Sequence, residues 1–267
     1  MNHYKIYPLI TLYSEESEMS MQTYGMNFGV NSPSPIIMWL VQGNGHNIMV
    51  DTGSCGAEPA SRNHHASIRT EEMEPVNLLK KCGVTGEDID IVVLTHLHWD
   101  HCYNLELFPN AKIYVQRREV EYAIDPLPPH RTAYEAPKTG IPSAWFPHLG
   151  RMTIMDGDFS VCEGINAYLL PGHTPGIMGV TVETEGGVYL IASDILPLFK
   201  NWTGQGNQKH IPAGIHNSLD DYYRTLERIE GLCDYILPGH DKAVMDYQEF
   251  PCEIKELKQQ LESGTTR

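Results

Sequence analysis

The amino-acid sequence predicts an α/β or α+β fold in which helices cover the faces of β-sheets. Residues 91–94 form a continuous apolar run, which is typical of a strand buried on both faces. Leu219, Tyr222, Leu226 and Ile229 recur at helical spacing and predict an amphipathic helix. Because strand and helix patterns alternate along the chain, sheets with helices packed against them are expected.

The other elements follow in chain order from local signals. Strands are predicted at residues 36–42, 47–50, 91–94, 112–115, 167–170, 179–183, 188–192 and 234–237. Helices are predicted around residues 73–79, over 117–123 and around 219–229. Gly83 stands where the first helix would end. Ser218 and Asp221 have the spacing of a capping box and predict the start of the last helix.

Residues 125–150 form a long stretch without a periodic pattern and carry six prolines. A loop of this length is usually functional or mobile, and a packed surface crossover is the alternative. The sequence leaves open whether this stretch closes over a substrate. No low-complexity segment divides the chain, so we expect a single domain over residues 1–267.

Composition and charge exclude several classes of function. The chain has 267 residues, 34 acidic against 19 basic, so its net charge of −15 argues against nucleic-acid binding. No apolar run reaches the roughly 18 residues of a membrane span, and no signal-peptide pattern is present. The six cysteines form no CxxC pair. We therefore expect a cytoplasmic protein with reduced thiols that acts on a small molecule.

Histidine and aspartate follow four of the predicted strands at the point where each strand ends. They are His96, His98, Asp100, His101, His173, Asp194 and His240. Strand ends of this kind are where α/β folds place ligand sites. Imidazole and carboxylate without thiolate favour zinc, with iron, manganese, cobalt or nickel as alternatives. Seven ligands exceed the needs of one tetrahedral ion, so we expect two metals about 3.5–4 Å apart, as in hydrolytic pairs.

The pattern His96-x-His98-x-Asp100-His101 resembles the signature of the metallo-β-lactamase superfamily. Residues 171–176, 193–194 and 239–240 resemble its later ligand motifs in order, and residues 50–53 resemble its early strand-turn motif. This resemblance spans most of the chain. It implies an αββα sandwich, with two mixed sheets face to face, helices outside and the metals at one edge.

The resemblance also implies a role for each ligand. It assigns His96, His98 and His173 to a first metal, Asp100, His101 and His240 to a second, and Asp194 to both. Asp51 would support the site from behind the ligands, as such partners do. Asp194 stands where many true β-lactamases of the superfamily have a cysteine, which points towards the other hydrolases of the superfamily.

Residues 115–119 and 212–214 resemble the N-acyl homoserine lactonase group within that superfamily. This likeness implies a quorum-quenching lactonase, in which a hydroxide bridging two Zn²⁺ ions attacks the lactone carbonyl. Asp100 would take the proton of the nucleophile and pass it to the leaving group. The group has a tyrosine three residues after the bridging aspartate, where this chain has Pro197. Either another donor replaces that hydroxyl or the substrate differs.

Candidate substrate contacts are weaker predictions. Arg62 and His65 belong to a basic cluster, with His64 and Arg69, that is suited to a substrate carboxylate. Candidates for the missing donor are Tyr24, Tyr103, Tyr134, His210 and His216.

Several alternatives stay open at this stage. The same fold hydrolyses thioesters in a glyoxalase II-like enzyme, or amides and β-lactams in a β-lactamase-like one. An iron site with redox chemistry and a metal-binding protein without turnover are further alternatives. The sequence is also compatible with a homodimer.

Overall fold

The computed structural model describes residues 3–254, in which the chain forms two mixed β-sheets. The first sheet contains β1 (Lys5–Glu18), β2 (Asn31–Gly43), β3 (His46–Val50), β4 (Ile91–Val93), β5 (Lys112–Gln116) and β6 (Met152–Met155), side by side in that order. The strands from β1 to β3 are antiparallel to their neighbours, whereas β3 to β6 run parallel.

The second sheet is built from the C-terminal half of the described chain. It contains β7 (Phe159–Cys162), β8 (Ile165–Leu169), β9 (Met178–Thr184), β10 (Gly187–Ser193) and β11 (Tyr235–Pro238), in the spatial order β11-β10-β9-β8-β7. Among these described strands, β10 and β11 are parallel and the other neighbouring pairs are antiparallel. The carboxyl ends of β10 and β11 therefore meet at one edge.

The side chains of strand β2 alternate between two separate apolar cores. Ile37, Trp39 and Val41 point into a core that they share with residues of the second sheet such as Val180. Met38 and Leu40 belong to a different cluster on the outer face of the first sheet. Successive side chains of a strand point to opposite faces, so one apolar run serves both layers.

Among residues 3–254, five α-helices complete the fold: α1 (Ala57–Asn63), α2 (Pro75–Lys81), α3 (Arg117–Ile124), α4 (Phe199–Thr203) and α5 (Leu219–Ile229). Helices α2 and α3 bury residues in the outer cluster of the first sheet. Helix α5 packs its apolar face onto the core of the second sheet, and the Ser218 hydroxyl accepts from the Asp221 amide at 3.2 Å, as its predicted start requires. The layers are helix, sheet, sheet, helix, as the resemblance implies.

Residues 125–150 are anchored rather than detached from the domain. Three short 3₁₀ helices lie in or at the end of this stretch: Pro128–His130, Pro137–Thr139 and Phe146–Arg151. Tyr134, Ala136 and Trp145 are buried in the outer cluster of the first sheet. The carbonyl of Ala133 accepts a hydrogen bond from the amide of Trp99 at 2.8 Å, which joins the stretch to the histidine-rich loop.

Within residues 3–254, no helix has the length and apolar character needed to cross a bilayer. Residues 1–2 and 255–267 lie outside the described range, and the single domain over residues 1–267 stays a prediction.

Candidate metal centre

All seven predicted ligands meet at one edge of the sandwich. The loop that follows β4 carries His96, His98, Asp100 and His101, and the loop after β8 carries His173. Asp194 follows β10, and His240 follows β11. Because β10 and β11 are parallel neighbours, with Ser193 opposite Pro238, their following residues reach the same point.

The seven side chains form two groups, and within each group the ligand atoms lie within 4.8 Å of one another. The first group consists of His96, His98, His173 and Asp194, and the second of Asp100, His101 and His240. All are buried except Asp100, which is partly exposed. This division matches the two sets of ligands that the resemblance implies.

Asp194 faces both groups, one carboxylate oxygen towards each. Its Oδ2 lies 3.4 Å from Nε2 of His173 and 3.9 Å from Nε2 of His96. Its Oδ1 lies 2.9 Å from Nε2 of His240 and 3.2 Å from Nε2 of His101. A carboxylate placed in this way can ligate one cation with each oxygen.

The donor atoms at this edge fit divalent cations. Nε2 of His96, Nε2 of His101 and Oδ1 of Asp194 are buried without a hydrogen-bond partner among residues 3–254. Buried polar atoms without partners are rare, and here three of them converge on the space between the two groups. Nδ1 of His98 lies 3.2 Å from Nε2 of His173, so these nitrogens also face a common point.

Hydrogen bonds behind the imidazoles leave their other ring nitrogen free for a cation. In three histidines Nδ1 donates away from the centre of the site. His101 donates to Oδ2 of Asp51 (2.7 Å), His173 to the Ile215 carbonyl (2.9 Å) and His240 to the Pro35 carbonyl (2.9 Å). Each bond fixes the tautomer in which Nε2 carries the lone pair.

Asp51 connects this support to the β4 loop. It has a positive φ of 62° at the end of β3, and its carboxylate accepts from the amide of Thr95 at 2.7 Å and from the hydroxyl of Thr95 at 2.8 Å. The Thr95 hydroxyl also lies 3.1 Å from Nδ1 of His96. Asp51 therefore supports His101 directly and His96 through Thr95, so one carboxylate acts on both ligand groups.

The five histidine ligands fall into two kinds by the direction in which their pKa is shifted. Burial holds the pKa of His96, His98 and His173 below the usual range, which keeps these rings neutral as metal ligands require. Burial also opposes protonation of His101 and His240, but the carboxylates of Asp194 and Asp100 outweigh it and raise their pKa. A cation between the groups would take the place of those protons.

Comparison with known families decides the family of this chain. The sequence profile described as "Metallo-beta-lactamase superfamily" matches residues 32–240, which cover more than half of the chain and contain every ligand above. The chain belongs to the metallo-beta-lactamase superfamily. The sandwich expected from the sequence is thereby confirmed.

Within this superfamily the chain is homologous to N-acyl homoserine lactonases. It is 31% identical to that of Bacillus thuringiensis over 188 residues, which cover 69% of this chain and 67% of the relative. The enzyme of Bacillus cereus is 28% identical over 237 residues, 82% of this chain and 85% of the relative.

Two solved lactonase structures share the fold. A structure of an N-acyl homoserine lactone hydrolase with the product N-hexanoyl-L-homoserine has a TM-score of 0.72 at 23% identity and covers 96% of this chain and 98% of its own. AidC, described as a dizinc quorum-quenching lactonase, has a TM-score of 0.64 at 19% identity and covers 90% of this chain and 88% of its own.

Behind the superfamily motif lies a buried carboxylate to which the sequence analysis gave no role. Glu119 of α3 is fully buried, and its Oε1 accepts from the Leu97 amide at 3.0 Å and from the Tyr134 hydroxyl at 2.6 Å. Its Oε2 accepts from the Thr174 hydroxyl at 2.6 Å. Glu119 therefore ties the β4 loop, the loop of His173 and the 125–150 stretch together. Residues 115–119 were notable in the sequence only for their resemblance to the lactonase group.

A cavity of about 710 Å³ opens onto the metal ligands. Besides five of the ligands, its wall includes His64, His65, Trp99, His130, Pro197 and His216. Of the predicted substrate contacts, His65 and His216 therefore lie at the cavity. Tyr24 lies against the His216 ring, 5.0 Å between centroids, without lining the cavity itself.

The structure does not bring Arg62 to the cavity. Its side chain is largely exposed on α1 and lies 3.7 Å from Glu58, because a spacing of four residues places the two on one helix face. Arg69 turns inwards and donates to the carbonyls of Thr11 and Ser54. Of the four residues in the basic cluster, His64 and His65 line the cavity and the two arginines do not, so a substrate carboxylate in the cavity would not meet either guanidinium group.

Three other donor candidates from the sequence do not line the cavity. The Tyr134 hydroxyl is engaged by Glu119. Tyr103 packs on a small apolar cluster under α1. His210 donates to or accepts from Trp202 and Glu230 and does not line the cavity.

Proposed function

We propose that this protein is a dinuclear zinc hydrolase that opens a lactone ring in a small-molecule substrate. The observation that carries the proposal is the placement of Asp194, whose two oxygens face two separate groups of ligands. Homology to N-acyl homoserine lactonases and the imidazole–carboxylate donor set support the lactone and the zinc.

Each ligand group would hold one cation, with Asp194 between them. When bound, the pair supplies Lewis acidity towards a carbonyl oxygen and lowers the pKa of water. Asp100 is suited to move a proton because it lines the cavity and is partly exposed, while its Oδ2 lies 3.7 Å from Nε2 of both His101 and His240. It would accept a proton from the attacking water and return it to the leaving alkoxide.

The cavity is suited to a small molecule, since its volume of about 710 Å³ lies within the usual range of ligand sites. Two finer expectations from the sequence stay with this proposal. A cytoplasmic location is supported by the six cysteines, all of which are free thiols. A homodimer stays a prediction.

The hydrolysis of another acyl bond is the second candidate, and Pro197 favours it. This residue lines the cavity and offers neither a hydroxyl nor an N–H group to a substrate carbonyl. A thioester, an amide or an ester other than a homoserine lactone would then be the substrate.

A substrate panel with metal analysis tests the proposal. Zinc-loaded protein would be assayed with an N-acyl homoserine lactone, an aromatic lactone, an acyl-glutathione thioester and a chromogenic β-lactam. We expect lactone opening, two zinc ions per chain and loss of turnover in Asp194→Asn. Turnover of the thioester or the β-lactam alone would support the second candidate. Full activity of metal-free protein, or turnover of none of the four, would refute both.

A further inference from the structure

Helix α5 contacts the loops of two proposed metal ligands, although it carries none of the seven ligands itself. Its Tyr222 side chain is fully buried, and the hydroxyl shares its one hydrogen between the carbonyls of Asp194 and Ile195, at 3.0 Å and 2.6 Å. One turn further along, the Thr225 hydroxyl donates to the carbonyl of Pro171 at 2.6 Å. Residues three apart in a helix lie on the same face, so one face of α5 reaches both loops.

The start of α5 also lies against the loop of His173. The amides of Asn217 and Ser218, which precede the helix, donate to the carbonyl of Gly172 at 2.8 Å and 3.1 Å. A Cβ at Gly172 would lie 2.7 Å from Cα and Cγ of Tyr222, which is closer than real Cβ atoms approach. Because Gly172 directly precedes His173, the backbone of this ligand follows the position of Tyr222.

The turn that carries Asp194 is strained. Ser193, directly before Asp194, has a φ of 48°, in the left-handed region that residues other than glycine seldom adopt. Such a conformation persists only where the surrounding structure holds it in place. The Tyr222 hydroxyl binds the carbonyls of the two residues that follow Ser193 and thereby holds this turn.

The two loops that α5 contacts carry ligands of the same cation site. Nε2 of His173 and Oδ2 of Asp194 lie 3.4 Å apart, and both residues belong to the first group of ligands. Their loops follow β8 and β10, which β9 separates in the second sheet, so strand pairing does not join the two loops directly. A helix that contacts both loops can fix the distance between the two ligands, as residues behind metal ligands do.

We propose that α5 sets the spacing between Asp194 and His173. Tyr222 and Thr225 are its positioning residues, and neither lines the cavity, so they act through the ligand loops rather than on the substrate. This inference rests on the proposed function, because it concerns the cation that the two ligands would share. The helix would hold the first group of ligands in place before a cation binds.

Tyr189 provides a matched control for Tyr222. It is 2% exposed, lies in the same apolar core and donates from its hydroxyl to the carbonyl of Cys252 at 3.1 Å. That carbonyl does not belong to a ligand loop. An effect that comes only from the loss of a buried hydroxyl would therefore appear at both tyrosines.

The first test is Tyr222→Phe, which retains the packed ring and removes only the hydroxyl. We expect the affinity of the apoprotein for zinc, measured by calorimetric titration, to fall by about tenfold or more. The visible absorption of the protein loaded with cobalt(II) would also change, because it reports the geometry of the ligands. Tyr189→Phe would retain wild-type zinc affinity and absorption, and denaturant unfolding would show that both apoproteins are folded.

Thr225 gives a second test, which includes a conservative rescue. Thr225→Val matches the side chain in shape and removes the hydroxyl, whereas Thr225→Ser retains the hydroxyl. We expect Thr225→Val to bind zinc about tenfold or more weakly and Thr225→Ser to bind it nearly as the wild type does. This comparison decides the inference even if Tyr222→Phe does not fold.

Two results would overturn the inference. One is wild-type zinc affinity and cobalt absorption in both Tyr222→Phe and Thr225→Val. The other is an equal loss of zinc in Tyr189→Phe, which would make the effect one of general stability. A wild-type protein that binds two zinc ions and opens no acyl substrate would instead refute the proposed function, and the zinc comparison would still decide the role of α5.

Discussion

Oδ2 of Asp51 lies 2.7 Å from Nδ1 of His101, and both side chains are about 1% exposed. This contact joins the turn after β3 to the histidine-rich loop after β4, two segments that parallel pairing holds side by side. The carboxylate fixes the imidazole so that Nε2 points towards Asp194. Asp51 therefore sets the orientation of the His101 ring although Asp51 is not itself one of the proposed ligands.

Replacement of Asp51 by asparagine is expected to weaken the second metal site more than the first. The amide matches the carboxylate in size but loses its charge, so it orients His101 less firmly. Losses of about 10- to 100-fold in metal affinity are typical of such changes. Calorimetric titration of apoprotein with zinc would measure the two affinities separately. Equal affinities in the variant and the wild type would contradict this role of Asp51.

Removal of metal is expected to abolish turnover and to lower the melting temperature. A cation that binds only the folded chain stabilises it by about 2.7 kcal/mol when its free concentration is 100 times its dissociation constant. Dialysis against a chelator, followed by activity assays and thermal unfolding, would measure both effects. Added zinc should restore both. His98→Ala should lose zinc and activity while remaining folded, whereas His210→Ala serves as a control that retains both.

Glu119→Gln is expected to destabilise the chain by about 1–3 kcal/mol, the cost of a buried polar group left unsatisfied. Both carboxylate oxygens of Glu119 accept hydrogen bonds, so the NH₂ group of an amide would face either the Leu97 amide, which can only donate, or the Thr174 hydroxyl, whose bond would have to reverse. Denaturant unfolding of the apoprotein would measure the loss. Tyr134→Phe removes one of these donors and should cost less. An unchanged free energy of unfolding in Glu119→Gln would contradict the role of Glu119 in holding the three segments together.

The gathering of the seven proposed ligands at one edge was predictable from sequence because its signals are local. Four ligands lie within residues 96–101, and each of the others follows a short apolar strand. Glu119 has no such signal, since its contacts with Tyr134 and Thr174 depend on how distant segments cross behind the site. Proximity in sequence was a poor guide for Arg62, whose exposed side chain lies beside Glu58 and does not line the cavity as its neighbours His64 and His65 do.

The longest strand shows a different limit. Strand β1 runs over Lys5–Glu18, yet no strand was predicted there. Its pairing with β2 shifts register between Ile10 and Leu12 and again between Ser14 and Ser17. Each irregularity interrupts the alternation of apolar and polar residues on which a prediction of a strand depends.

Gly239→Ala is expected to remove most of the bound zinc and to lower kcat/KM by roughly tenfold or more, because it displaces a metal ligand. A Cβ at position 239 would lie 2.8 Å from the carbonyl carbon and oxygen of Ser193 and 2.9 Å from Oδ1 of Asp194. Real Cβ atoms do not approach backbone so closely, so the loop that carries Asp194 would have to shift away from His240. Gly231→Ala is the matched control, because its Cβ would meet nothing closer than the Arg228 carbonyl oxygen at 3.9 Å. Metal analysis and steady-state kinetics on both variants would test this. If Gly239→Ala retained two zinc ions and full activity, the close packing of β10 against β11 would not be what places Asp194 between the two groups.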